Sequence, residues 1–121
     1  MNGLSRVVVL ADTDIAALRE LALKLELLAP ENEYLLFSSP QKVREYLCSE
    51  RADMLITCAS LSGGDGFELM KAALDAQPWM VAAIISDNEE DAVRAMRCRA
   101  DGFILAPVTD EKLLSVLGNL K

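Results

Sequence analysis

Four short segments of this 121-residue chain end on groups that could do chemistry: Asp12 with Thr13, Cys58, Ser86 with Asp87, and Ala106 with Pro107. Carboxylate, thiol and hydroxyl groups can hold cations, move protons or act as nucleophiles. The chain contains no histidine, which removes the commonest general base and metal ligand. No acid, base or metal constellation is evident, so an enzyme is not expected. Three cysteines (Cys48, Cys58, Cys98) are odd in number and far apart, which matches neither a disulfide framework nor a zinc site. Cys58 closes an apolar run and reads either as a redox-sensing thiol or as a small buried hydrophobe. A sensor needs a lowered pKa, and no cationic residue is near Cys58 in sequence to supply one. Asp12 reads either as a cation ligand or as a cap, and "GGDG" either as a phosphate cradle or, as favoured here, a tight turn.

These residues need elements to bring them together. Apolar runs of strand length alternate with amphipathic runs of helix length, the pattern of a parallel sheet covered on both faces. The strands are expected at Val7 to Ala11, Tyr34 to Phe37, Met54 to Cys58, Val81 to Ile85 and Phe103 to Leu105. The first helix should begin at Thr13 or Asp14 and carry Leu18, Leu21, Leu25 and Leu28 inward, with Pro30 closing the region. Further helices are expected over Gln41 to Glu50, Phe67 to Ala76, Glu89 to Cys98 and Asp110 to Leu120. Right-handed connections would gather the carboxyl ends of the first, third, fourth and fifth strands at one edge, where open α/β sheets place their sites.

Composition narrows the function. Residues 1–121 suit one domain, 52% of them hydrophobic and 26% charged. The formal charge of −7 lacks the basic footprint that nucleic acid requires. No stretch approaches a spanning helix, so a membrane partner is not expected and the location is expected to be cytoplasmic. Arg94, Arg97 and Arg99 on the fourth helix read either as a dock for an acidic partner or as a solvated face.

The order and spacing resemble the receiver domain of two-component response regulators over essentially the whole chain. The resemblance rests on "VLAD" at the first strand end, on "LSGGDGFELM" with Asp65 and Gly66 seven and eight residues beyond Cys58, on "IIS" ending at Ser86, and on "ADGFILAP" with Phe103 at the aromatic switch position. It implies a flavodoxin-like three-layer α/β/α sandwich with strand order 2-1-3-4-5, two helices on one face and three on the other. It further implies a positive φ at Arg99, where the family has glycine, and a cis bond before Pro107.

The departures bear on function. Where the family has a phosphoacceptor aspartate, an acidic pair for magnesium and a phosphoryl-binding lysine, this chain has Cys58, Asp12 with Thr13, and Ala106. Asp87 adds a negative charge beside Ser86. No cofactor or metal is expected. The expected function is that of a degenerate receiver acting by phosphorylation-independent protein contact, alone or as the first domain of a longer regulator. The alternative is a thiol-based redox or modification switch at Cys58. By resemblance the contact surface is the fourth helix, fifth strand and fifth helix, with Arg94, Arg97, Asp110 and Glu111 as candidate contacts for a protein partner or a second copy.

Overall fold

Valine, isoleucine and leucine runs too apolar to face water on either side form the middle of a five-stranded parallel sheet. The computed structural model describes residues 5–120; positions 1–4 and 121 of the expected domain lie outside the described residues. Its main strands are β1 (Val7–Ala11), β2 (Glu33–Phe37), β3 (Met54–Cys58), β4 (Val81–Ser86) and β5 (Gly102–Leu105). All four pairings are parallel, and the order is β2-β1-β3-β4-β5, as expected.

Five helices cover it: α1 (Ile15–Leu28), α2 (Pro40–Ser49), α3 (Gly66–Ala76), α4 (Asp91–Arg97) and α5 (Asp110–Leu117). On one face Leu18, Leu21 and Leu25 of α1 and Leu113 and Val116 of α5 pack on Val8, Leu10 and Ile56. On the other, Val43 and Leu47 of α2, Phe67 and Met70 of α3 and Ala95 of α4 pack on Val9, Leu55 and Ile84. The side chains of Val8, Val9, Leu55 and Ile56 are wholly buried, so this double cover anchors the centre of the sheet.

The element boundaries follow local chemistry. Asp14, not Thr13, caps α1 by accepting from the Ala17 N–H, while Ser39 caps α2 and leaves Pro40 at its first turn. The fourth helix starts two residues later than its charge pattern implies. Asn88 forms a turn in which its carbonyl accepts from Asp91 N and its side chain from Glu90 N, which keeps Glu89 and Glu90 out of the helix. The last helix ends at Leu117 with Gly118 as its C-cap, short of the expected Leu120. Trp79 packs locally, donating to the Ala52 carbonyl under the Arg51 guanidinium.

Arg99 has φ of 66° and Ala106–Pro107 is cis, both as the resemblance implies. A left-handed arginine costs the fold energy that glycine would not, although glycine gains more freedom on unfolding. Arg99→Gly is therefore expected to stabilise the domain by about 0.5–1 kcal/mol in urea unfolding. An unchanged or lower midpoint would contradict the strain. Gly66 is constrained in the opposite sense: a Cβ there would clash with the backbone carbonyl of Cys58. Gly66→Ala should cost about 1–3 kcal/mol in the same measurement, and a neutral result would show that the β3–α3 turn yields easily.

Candidate functional site

The carboxyl ends of β1, β3, β4 and β5 open onto a cavity of about 650 Å³. Asp12, Cys58, Ser86, Asp87 and Ala106 all line it, as the sequence leads one to expect, together with Pro107 and Ile85. Thr13 does not: its Oγ1 turns to the β3–α3 loop and accepts from Ser62 N at 3.0 Å. That loop is a two-residue hairpin, Ser60–Leu61 against Gly64–Asp65, turning through Gly63 at φ 77°; "GGDG" is thus a tight turn.

At the centre of the cavity the tips of β1 and β3 are tied side chain to side chain. The Cys58 thiol donates to Asp12 Oδ2 at 3.1 Å, and Asp12 Oδ1 accepts from Asp14 N at 2.9 Å, so both oxygens of this carboxylate are engaged. Burial first, and then the hydrogen bond and negative charge of Asp12, push the Cys58 thiol up to about 12. The sulfur is therefore a protonated, poorly nucleophilic donor at neutral pH.

Ser86 is buried at the end of β4, and its Oγ has partners of its own. It donates to Asp91 Oδ2 at 2.7 Å and accepts from Asn88 N at 2.9 Å, which fixes it to the first turn of α4. Phe103 is half-buried on β5 and packs against the core shared by α2, α3 and α4. Asp65 caps α3 through Phe67 N, while its other oxygen meets Arg94 Nη2 at 2.7 Å. That hydrogen bond holds the Arg94 pKa above its ordinary value, and the guanidinium also lies 4.2 Å from the Phe67 ring centroid. Arg94 and Arg97 line a groove between α3 and α4, while Asp110 and Glu111 stand exposed in the first turn of α5.

Several residues at the site were not singled out by sequence. Glu20, Leu21 and Lys24 extend the cavity along α1, and among the described residues Lys24 is the one cation in its wall. Their signal was weak: they belong to the helix that the heptad-like leucines define, and their projection toward the strand tips depends on how that helix is docked. Lys112 lies near the site in space, but its Nζ donates to the carbonyls of Leu105 (2.7 Å) and Pro107 (3.1 Å), and it is not part of the cavity wall. Asp91 belongs to the acidic cluster at the start of α4; only the turn at Asn88 brings it to Ser86.

No curated protein matches the chain. Among solved structures it is similar to a CheY-like receiver domain protein from Methanospirillum hungatei JF-1 (21% identity, 93% of this chain and 90% of that one, TM-score 0.82). It is also similar to a receiver domain protein from Clostridium thermocellum (23%, 94% and 92%, 0.82) and to the chemotaxis protein CheY4 of Vibrio cholerae (17%, 97% and 99%, 0.83). At these identities the likenesses establish the fold. A family model described as the response regulator receiver domain matches residues 8–118, from the first core strand to the last helix cap. A match over so much of the chain places the protein in the family of response regulator receiver domains.

Proposed function

We propose that this receiver domain serves two-component signalling by protein contact without aspartyl phosphorylation. The observation that carries the reading is the Cys58–Asp12 hydrogen bond: a thiol stands at the acceptor position and occupies an oxygen of the one carboxylate beside it.

The family implies magnesium at this site. The ion requires a near-octahedral set of oxygens. Cys58 supplies sulfur, both oxygens of Asp12 accept hydrogen bonds already, and Thr13 Oγ1 faces the Ser62 amide. These residues do not fit the ion. A phosphoryl group would also meet Asp12, Glu20, Asp87 and Asp91 against Lys24 alone, with Ala106 where the family carries its lysine. Several negative charges facing a dianion in a partly buried site disfavour it strongly. Ser86 and Phe103 have packing and hydrogen-bond partners that no phosphoryl group is needed to supply. A ligand that does not bind cannot shift an equilibrium, so the contact surface is constitutive. Exposed apolar side chains on α4 (Val93, Met96) and α5 (Leu114) favour the surface of α4, β5 and α5, rimmed by Asp110 and Glu111. The thiol-switch alternative needs a lowered pKa, whereas burial and Asp12 act in the opposite direction.

Two experiments test this. With a small phosphodonor and magnesium, the intact mass should gain no phosphoryl group, Cys58→Asp alone should not restore the gain, and self-association or partner affinity should change less than about tenfold, or roughly 1.4 kcal/mol. A stoichiometric acyl phosphate, or a larger change in affinity, contradicts the proposal. For the thiol, a raised pKa keeps the protonated form dominant until the pH rises through about 12. Alkylation near pH 8 should therefore label exposed Cys48 well before Cys58; equal or faster labelling of Cys58 would instead support the switch.

A further inference from the structure

The outer face of α1 is apolar where a solvated helix would be polar. At about 100° per residue, Ala16, Leu23 and Leu27 share a stripe about 40° wide, on the side opposite the buried Leu18, Leu21 and Leu25. Leu23 is 59% exposed and Leu27 77%, and among the large hydrophobic side chains of the described residues only Met96 is more exposed than Leu27.

Four charges flank the stripe. By the same helical count, Arg19 and Glu26 lie along one side of it and Glu20 and Lys24 along the other. Among the described residues none of the four takes part in an ion pair, although Glu20 and Lys24 stand one turn apart in the same helix. Arg19 and Glu26 are two turns apart, about 10 Å along the axis, too far to meet each other. Their positions are symmetric about the midpoint of residues 22 and 23, and those of Glu20 and Lys24 about residue 22, so both flanks share a centre next to Leu23.

We infer that α1 pairs with α1 of a second copy of this chain, antiparallel about a two-fold axis beside Leu23. Such an axis sets each flank against the same flank of the partner in reverse order. Arg19 then faces the partner's Glu26, and Glu20 faces the partner's Lys24. Symmetry repeats both, giving four ion pairs from charges that are unpaired in the monomer. Leu23 meets the partner's Leu23, and Leu27 covers the partner's Ala16, large against small. The like-charged Asp14 and Glu31 meet only at the ends, about 13 Å from the axis, where both are exposed and screened. A parallel pair would also oppose unlike charges, but it would align the two helix dipoles and set Ala16 on Ala16. A single pair of 14-residue helices buries less than the roughly 1,200 Å² of a stable dimer, so the expected dissociation constant is roughly 10–500 µM. The pairing does not depend on phosphoryl chemistry at the strand tips.

Sedimentation of the whole chain between about 20 µM and 1 mM should show a reversible monomer–dimer equilibrium that weakens as salt rises. Leu27→Glu should weaken it at least about tenfold. Arg19→Glu or Glu26→Arg should each weaken it about three- to tenfold, because one reversal creates two like-charged pairs. The decisive variant carries both reversals, Arg19→Glu with Glu26→Arg, and should recover the affinity to within about threefold. A folding defect cannot imitate that recovery, and in a parallel pair the exchanged charges would meet Glu20 and Lys24 as like charges. A chain still monomeric at about 1 mM would overturn the proposal and assign the stripe to a different partner. A dimer indifferent to Leu27→Glu would overturn it as well, as would a double variant no tighter than the single ones, or a dimer lost on Met96→Glu instead.

Discussion

The structure depends on one constraint, the burial of a parallel sheet on both faces. Val8, Val9, Leu10, Leu55, Ile56 and Ile84 alternate between two helical layers, and the buried polar side chains of the described strands, Thr57 and Ser86, fall in the last two residues of β3 and β4. Polar chemistry is displaced to the strand tips, where the chain turns toward water. The same constraint anchors the opposite edge, where Asp53 and Asp101 accept the backbone N–H groups of Val7 and Ala82 and hold neighbouring strands in register. The strand tips can vary because the sheet beneath them does not depend on their identity.

What has varied is the set of partners at that edge. A carboxylate at position 58 would repel Asp12, and a bound cation would be needed to hold both. The thiol reverses the interaction, donating to Asp12 and joining β1 to β3 without an ion. Ser86 is treated similarly, because Asp91 and the Asn88 amide satisfy its hydroxyl within α4 and its preceding turn. Each group that would respond to a ligand in a switchable receiver has a partner inside the protein, which favours one packing. The exposed apolar residues of α4 and α5 are the surface through which the proposed contact would act.

Much of this was legible in the residues. Continuous apolar runs mark the buried strands, and Leu18, Leu21 and Leu25 mark the inner face of α1, because both patterns follow from burial alone. The strand-tip positions follow from topology, so Asp12, Cys58, Ser86 and Ala106 could be named together. Hydrogen bonding between distant residues was not legible. Sequence gives no sign that Thr13 turns to Ser62, that Lys24 projects into the cavity, or that Asn88 delays α4 by forming its own turn. The fourth strand, expected over Val81 to Ile85, runs one residue further, because the Ser86 carbonyl accepts from Ala106 N and continues the ladder. The direction of Arg94 was hidden as well, since Asp65 lies 29 residues earlier and only the docking of α3 beside α4 brings the two together.

The central claim is that the strand-tip site has lost the capacity to drive a change of state. It is tested most directly by titrating the protein with magnesium and beryllofluoride, a mimic of the bound phosphoryl group, while following the backbone and side-chain NMR signals of Cys58, Ser86 and Phe103. The account predicts that these signals stay in place, because Asp12 is held by Cys58 and Ser86 by Asp91. Saturable, concerted movement of Ser86 and Phe103 would mean that the site still binds and still switches, and would contradict it.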